Sequence, residues 1–303
     1  MEVIRASVLG CCMGVQRALD LALETAAAES AAGRPAGAPA VYSLGPLIHN
    51  PQAVAELAAR GILPLGPEEI DERVRGAAVV IRAHGVPPAL RRRLEAAGAR
   101  VVDATCPRVI ASQRRAAAFA REGRTVLLAG DRDHAEIAGI AGCAAEAGGG
   151  RGACLVLGSA EEAAAMPIPA GPAAVIAQTT IKAEEYRAIC DALAARLPEL
   201  EVVDSICPAT EERRLALAEL AAGCEALVIV GGRNSANTTR LLHSARALGK
   251  PAWQVERAAE LPAAAFGYSR VGLAAGASTP ESIVAAVEAA LREGPAQAAG
   301  AAG

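Results

Sequence analysis

Three of the eight cysteines recur in similar local sequences, about a hundred residues apart. Cys106 lies in Val-Val-Asp-Ala-Thr-Cys-Pro, Cys207 in Val-Val-Asp-Ser-Ile-Cys-Pro, and Cys12 in the looser copy Ser-Val-Leu-Gly-Cys-Cys-Met-Gly. A short apolar run precedes each cysteine and a helical pattern follows it. We therefore expect each thiol at a helix N-terminus, where free N–H groups and the helix dipole favour a thiolate.

The spacing of the three cysteines predicts three similar α/β units, each the size of a small domain. If the units pack around an axis, the three sulfurs converge. Three thiolates can hold an iron–sulfur cluster and leave one iron open. The alternative is three buried, inert cysteines, since free cysteine is among the most buried residue types. The repeated sequence context favours the metal interpretation.

Three of the four histidines follow an apolar strand pattern: His49, His84 and His134. They can ligate a metal or bind an anion; the alternative is helix capping and loop hydrogen bonds. His243 lies within a helical pattern and is expected at the surface. Glu136 stands two residues after His134. It is a candidate proton donor or, alternatively, a glutamate in the first turn of a helix.

Hydroxyl and amide side chains occupy other strand ends: Thr179, Thr180, Ser235, Asn237, Ser278 and Thr279. Such residues often serve only as helix N-caps, but with the helix N-termini they also form a good phosphate site. The sequence lacks the P-loop motif of nucleotide-binding proteins. A small phosphorylated ligand is therefore favoured over a nucleoside triphosphate.

Strand, polar loop and helix patterns alternate along the chain, with a strand at 173–177 and a buried-type strand at 226–230. This alternation predicts parallel α/β sheets, whose ligands bind at the carboxyl ends of the strands. The candidate residues lie at those ends.

Composition excludes several classes of protein. The chain has 303 residues, a net charge of −3 and only 2% aromatic residues. Neither an overall attraction to nucleic acid or membranes nor a base-stacking surface is expected. The uncharged run 163–181 contains Pro167, Pro169 and Pro172, so it predicts a loop leading into a strand. We expect a cytoplasmic protein without a signal peptide, whose cysteines stay reduced or bind metal rather than form disulfides. No Cys-x-x-Cys pair supports a zinc ribbon or a thioredoxin motif.

Nine motifs, spread over residues 1–290, resemble the 4-hydroxy-3-methylbut-2-enyl diphosphate reductase family, which catalyses the last step of the methylerythritol phosphate route to isoprenoids. They are Gly-Cys-Cys-Met-Gly-Val (10–15), Ile-His-Asn (48–50), Ala-His-Gly-Val (83–86), Asp-Ala-Thr-Cys-Pro (103–107), His-Ala-Glu (134–136), Gln-Thr-Thr (178–180), Ile-Cys-Pro-Ala-Thr (206–210), Asn-Ser-Ala-Asn (234–237) and Ala-Gly-Ala-Ser (275–278).

The resemblance implies a pseudo-threefold trefoil of three α/β domains around a 4Fe-4S cluster. The cluster ligands would be Cys12, Cys106 and Cys207. The domains would span 10–102, 103–203, and 204–292 together with 1–9, followed by a disordered tail, 293–303. The N-terminal strand would thus join the third domain.

The resemblance also implies the substrate site. The diphosphate would be held by positions matching His49, His84, His134, Thr179, Ser235, Ala236, Asn237 and Ser278. Glu136, acting through Thr179 and beside His134, would help to deliver a proton, and the open iron would act on the substrate hydroxyl. The products would be isopentenyl and dimethylallyl diphosphates. A ferredoxin or flavodoxin would supply the electrons.

Two positions depart from the family pattern. Ala236 stands where many members have a second serine, which removes a hydroxyl. A hydrogen bond to a charged group is typically worth ~1.5–3 kcal/mol, so substrate binding would weaken unless a backbone N–H substitutes. Cys11 stands where an aromatic residue is common. Because adjacent residues of an extended segment point to opposite sides, we expect Cys12 as the ligand.

Two other functions fit an open-site cluster. A hydro-lyase would dehydrate its substrate without net electrons, so its turnover would not need a reductant. A cluster-based redox sensor or carrier would not need the anion pocket.

Overall fold

Strands and α-helices alternate along the chain. The computed structural model describes residues 1–31, 41–48, 50–149 and 154–294, without the side chain of Ala236. The strands are β1 (Glu2–Arg5), β2 (Val41–Leu44), β3 (Ile62–Leu65), β4 (Ala78–Ile81), β5 (Arg100–Asp103), β6 (Thr125–Ala129), β7 (Cys154–Leu157), β8 (Ala173–Ala177), β9 (Glu201–Val203), β10 (Ala226–Val230), β11 (Ala252–Val255) and β12 (Arg270–Ala275). The α-helices are α1 (Met13–Ala31), α2 (Pro51–Ala59), α3 (Pro88–Ala96), α4 (Pro107–Arg121), α5 (Ala135–Gly148), α6 (Ala160–Ala165), α7 (Ala183–Ala194), α8 (Pro208–Gly223), α9 (Ala236–Ala247) and α10 (Glu281–Glu293). Short 3₁₀ turns lie at Pro67–Glu69, Glu72–Val74, Ala258–Glu260 and Ala263–Gly267.

Helix starts follow local sequence signals. Four helices, α2, α3, α4 and α8, begin with proline, whose fixed φ suits the first helical position and whose missing N–H is not needed there. Asn50 caps α2: its side-chain oxygen accepts the Ala53 N–H at 3.0 Å. Ser159 caps α6 in the same way. Each cap satisfies a backbone donor that the helix itself leaves free.

The strands form three four-stranded sheets with the orders β1-β12-β10-β11, β3-β2-β4-β5 and β7-β6-β8-β9. Every strand pair whose register is described is parallel. In each sheet one edge strand precedes a repeated cysteine: β1 precedes Cys12, β5 precedes Cys106 and β9 precedes Cys207. The predicted class, three similar α/β domains, is confirmed.

The chain divides into two units. The first comprises Met1–Ala26, Pro46–Pro64 and the chain from Pro208 on. It holds the sheet β1-β12-β10-β11, whose core packs residues of β10 against α8 and α9, among them Leu227, Ile229, Leu217 and Leu241. The pairing of β1 with β12 is parallel, with Val3 opposite Val271. The first strand of the chain thus completes the sheet built by its last segment.

The second unit comprises Ala27–Gly45 and Leu65–Cys207. Strand β8, an interior strand of the sheet β7-β6-β8-β9, is buried along its whole length. Val175 packs on one face of the sheet with Ile189 of α7, and Ile176 packs on the other with Phe119 of α4 and Ile140 of α5. Burial on both faces explains why this strand is uniformly apolar rather than alternating.

No helix within the described ranges is long and apolar enough to cross a membrane. The run 163–181 instead ends α6, forms a loop through its prolines and continues into β8. The expected disordered tail, 293–303, lies outside the described residues from 295 onward.

Candidate active site

The three repeated cysteines occupy equivalent places. Cys106 is the residue before the first turn of α4, Cys207 directly precedes α8 and Cys12 directly precedes α1. The backbone N–H of each cysteine donates to a carbonyl two residues past the end of the neighbouring strand. The pairs are Cys12 to Ala277 at 2.9 Å, Cys106 to Ala83 at 2.9 Å, and Cys207 to Thr179 at 2.8 Å. The neighbouring strands are β12, β4 and β8. The same hydrogen bond therefore fixes each cysteine at the carboxyl edge of its own sheet.

The chemistry of these three residues suits an iron–sulfur cluster. All three are half-buried cysteines at helix N-termini, and none of them forms a disulfide with another described residue. In the described part of the chain, no three His, Cys, Asp or Glu side chains surround one metal ion. A cluster does not require such a group, because each of its cysteines binds a different iron. Cys106 and Cys207 belong to the second unit and Cys12 to the first.

Cys11 differs from its neighbour Cys12. Burial, and then the adjacent Cys12, raises the pKa of the Cys11 thiol to about 12, although the Arg213 guanidinium acts in the opposite direction. Arg213 is itself buried and donates to the carbonyls of Gly10 at 2.7 Å and Ala209 at 3.1 Å. A buried cation on α8 thus holds the loop that carries both cysteines. No sequence signal distinguished Arg213 from its charged neighbours.

The remaining four cysteines are away from these positions. Cys143 lies on α5, while Cys154, Cys190 and Cys224 pack in or against the apolar cores. Burial raises the pKa of all four thiols. These are ordinary thiols of packed helices and strands.

The second unit brings together two of the predicted histidines. The rings of His84 and His134 meet edge to face, with centroids 5.2 Å apart and planes at 84°. Gly142 on α5 allows this approach, because a Cβ there would lie only 2.7 Å from Pro87 Cβ. The loop that carries His84 can therefore pack directly against the helix that His134 begins.

His134 is the N-cap of α5. Its Nδ1 accepts the backbone N–H of Glu136 at 3.2 Å. A neutral imidazole that accepts at Nδ1 carries its proton on Nε2. His134 is thus both a helix cap and a potential Nε2–H donor to an anion, so the two alternatives drawn from the sequence are compatible.

Glu136 is the most unusual carboxyl group of the second unit. Its side chain is 1% exposed. Thr179 donates to it twice, from its backbone N–H to Oε1 and from its hydroxyl to Oε2, both at 2.7 Å. Burial raises the pKa of Glu136, and the two hydrogen bonds from Thr179 oppose that shift. Glu136 and Thr179, which were predicted to act together, are 43 positions apart in the sequence and are in direct contact.

Gln178 joins the loops that carry these residues; the sequence singled it out only as part of the Gln-Thr-Thr motif and gave it no role. It is buried; its Oε1 accepts the Asp131 N–H at 2.9 Å and its Nε2 donates to the Thr180 hydroxyl at 3.1 Å. A Cβ at Gly130 would approach Gln178 Oε1 to 2.6 Å. That motif, placed directly after a strand, is the signal that could have identified Gln178 as a site residue.

The first unit carries a second set of polar groups, at the ends of β10 and β12. Ser235 caps α9, and its hydroxyl accepts the Thr238 N–H at 3.4 Å. Asn237 has a buried Nδ2 without a hydrogen-bond partner among the described residues. Ser278 is half-buried in the loop after β12. His49 lies outside the described residues, as does the side chain of Ala236.

Thr238 was missed by sequence analysis, although it lies in the same first turn. Its hydroxyl is fully buried and has no partner among the residues that the structure describes. A Cβ at Gly276 would lie 2.1 Å from this oxygen, and one at Gly231 would lie 2.6 Å away. Unsatisfied donors beside a helix N-terminus suit an anionic ligand. His243, in contrast, is exposed on α9, as predicted.

Comparisons with known proteins point to one family. The family described as LytB protein matches residues 3–292. A 4-hydroxy-3-methylbut-2-enyl diphosphate reductase of Treponema denticola is 46% identical over 301 residues, covering 97% of this chain and 100% of the relative. The Aquifex aeolicus protein of the same name is 36% identical over 294 residues, covering 97% and 96%.

Solved structures show the same fold. A structure described as (E)-4-hydroxy-3-methyl-but-2-enyl diphosphate reductase, the terminal enzyme of the non-mevalonate pathway, matches with a TM-score of 0.72 at 35% identity, covering 97% of this chain and 100% of that one. The E-1-hydroxy-2-methyl-but-2-enyl-4-diphosphate reductase from Plasmodium falciparum matches with a TM-score of 0.80 at 23% identity, covering 94% and 86%.

Proposed function

Because the chain belongs to the LytB family of 4-hydroxy-3-methylbut-2-enyl diphosphate reductases, we propose that it reduces (E)-4-hydroxy-3-methylbut-2-enyl diphosphate to isopentenyl and dimethylallyl diphosphates. Two electrons and two protons remove the hydroxyl group as water. The reaction is the last step of the methylerythritol phosphate route, and the electrons come from a reduced ferredoxin or flavodoxin.

The observation that carries this proposal is the repeated anchoring of Cys12, Cys106 and Cys207 to their sheets. These residues would hold a 4Fe-4S cluster, which would supply electrons and a Lewis-acidic iron without a protein ligand. A fourth cysteine ligand would suit electron transfer alone. The domains that carry the cysteines are 10–102, 103–203, and 204–292 with 1–9.

The polar strand ends bind the diphosphate in this proposal, through His49, His84, His134, Thr179, Ser235, Asn237 and Ser278. The Asn237 amide and the Thr238 hydroxyl, which have no hydrogen-bond partner among the described residues, support this role, because an anion would accept hydrogen bonds from them. Ala236 supplies no hydroxyl, so only its backbone N–H, in the first turn of α9, is available to the ligand.

Glu136 and Thr179 form the proton-delivery pair. Burial favours the protonated carboxyl group, which can donate to the Thr179 hydroxyl. That hydroxyl can then donate its own proton onward to the substrate. His134 would bind the diphosphate through Nε2 while its Nδ1 holds the backbone of Glu136.

An anaerobic reconstitution tests the proposal. The purified chain is loaded with iron and sulfide, its iron and sulfide are counted, and it is mixed with the hydroxylated diphosphate with and without reduced methyl viologen. We expect about four irons per chain and formation of both products only with reductant. Turnover without reductant would indicate a hydro-lyase. A loaded cluster whose spectrum does not respond to the substrate would indicate a carrier or sensor.

A further inference from the structure

A groove of about 680 Å³ runs along the surface of the second unit, between α4 and the segment 201–206. Arg108, Arg114 and Arg115 line it on the helix side, and Val202 and Ile206 line it on the other. From Arg108 to Phe119 the helix advances about 17 Å. The groove is therefore long and open, as a surface that binds another protein would be, and it does not resemble a closed ligand cavity.

The three groove arginines are exposed and form no ion pair with any residue of the described ranges. Arginines nearby behave differently: Arg91 and Arg92 of α3 pair with Glu95 and Glu146 respectively. Acidic groups of the groove lie on its other side, where Glu201 faces Arg124 at 3.4 Å and Asp204 is exposed. The helix side consequently presents three positive charges, and none of them is in an ion pair with a described residue.

Apolar surface lies beside these charges. Val202 is 50% exposed, which is unusual for a valine on a strand, and Ile206 is half-buried. Phe119 forms part of the floor. Arginines next to apolar side chains are typical of protein interfaces, whose centres are poor in acidic residues and lysine.

Two of the residues that line the groove are close in sequence to repeated cysteines. Arg108 is two residues after Cys106, and Ile206 directly precedes Cys207. A protein bound here would lie beside two of the residues that, in the proposed function, hold the cluster. This inference rests on that proposed function.

We propose that the groove is the docking surface of the electron donor, an acidic one-electron carrier protein with an iron–sulfur or flavin group. Its carboxylates would pair with Arg108, Arg114 and Arg115, and its rim would cover Val202 and Ile206. Each turnover needs two docking events, each of which oxidises one carrier by one electron. Nucleic acid is disfavoured, because the groove offers no exposed aromatic ring for base stacking.

Charge reversal tests the proposal in the loaded holoenzyme. The double variant Arg114→Glu/Arg115→Glu is compared with Arg187→Glu, an exposed arginine of α7 on the opposite face of the same sheet. Each protein is assayed with a reduced acidic ferredoxin and, separately, with reduced methyl viologen. We expect KM for ferredoxin to rise about ten-fold or more in the double variant, with a flatter salt dependence. Iron content, the methyl viologen rate and the Arg187→Glu control should not change.

An unchanged KM for ferredoxin in the double variant, with iron intact, would overturn the docking surface. So would single-stranded RNA binding that is lost in the variant without any change in that KM. The single variant Arg114→Gln, which keeps helix propensity, provides the same test if charge reversal impairs folding. Failure of the proposed function would look different, since wild type would then be inactive with methyl viologen.

Discussion

At the scale of single residues, Glu136 combines burial with two short hydrogen bonds from one threonine. A glutamine fits the same contacts, because its oxygen can accept the Thr179 N–H and its amide can donate to the Thr179 hydroxyl. Glutamine cannot release a proton. The substitution therefore separates the proton role of Glu136 from its structural role.

We expect Glu136→Gln to lower kcat about 10²-fold or more, the usual contribution of general acid–base catalysis. Iron content and diphosphate affinity should stay close to wild type. Steady-state assays with reduced methyl viologen measure the effect, and Glu184→Gln, on the exposed face of α7, is the control. A rate equal to wild type would remove Glu136 from proton delivery.

Cys106 provides a second test at this scale. Serine is a better N-cap than cysteine, so Cys106→Ser should preserve α4 while removing a sulfur ligand. We expect loss of iron and of the visible cluster absorption, with an unchanged far-UV spectrum. Cys143→Ser on α5 is the matched control and should retain its iron. Full iron content in Cys106→Ser would contradict the assignment of ligands.

At the scale of elements, α5 depends on Gly142 to approach the loop that carries His84. Gly142 has no room for a side chain against Pro87, whereas Gly171, exposed before β8, has open space around it, with no atom within 4 Å of the place that an added Cβ would take. The two glycines therefore serve different purposes although neither stands out in the sequence.

Gly142→Ala should lower the free energy of unfolding by about 1–3 kcal/mol, the usual cost of overpacking. Gly171→Ala should leave stability nearly unchanged. Urea denaturation followed by circular dichroism measures both. Equal free energies of unfolding for the two variants would show that α5 and the His84 loop can move apart with no loss of stability.

Most elements were predictable from local pattern, and β8 and β10 have the predicted bounds of 173–177 and 226–230. Strand β3 was not predicted, since its sequence Ile-Leu-Pro-Leu is short and contains Pro64. As an edge strand it tolerates a proline that an interior strand would exclude. Its position in the sheet, rather than its composition, explains why it forms.

At the scale of the whole molecule, the protonation of Glu136 affects global stability. Burial raises its pKa in the folded chain above the unfolded value. Between these two values the folded state binds more protons than the unfolded state, so stability falls as pH rises. The contribution is fully present below the unfolded pKa and is lost above the folded one.

Relative to wild type, Glu136→Gln should therefore become progressively more stable as the pH rises above about 4.5, the ordinary pKa of glutamate, until the folded wild type has also lost this proton. Urea midpoints measured across this interval for both proteins provide the comparison. A constant difference between the two midpoints would show that the carboxyl pKa is the same in both states.

The sequence by itself determined the α/β class, the three repeated cysteines, and most polar strand ends, because periodicity, helix caps and turn residues act over a few neighbouring positions. Tertiary structure alone decided which side chains meet. The edge-to-face rings of His84 and His134, the close packing of Gly142 on Pro87, and the burial of Gln178, Arg213 and Thr238 all join segments distant in the chain. Such contacts depend on how whole sheets and helices pack, and local sequence carries little information about that packing.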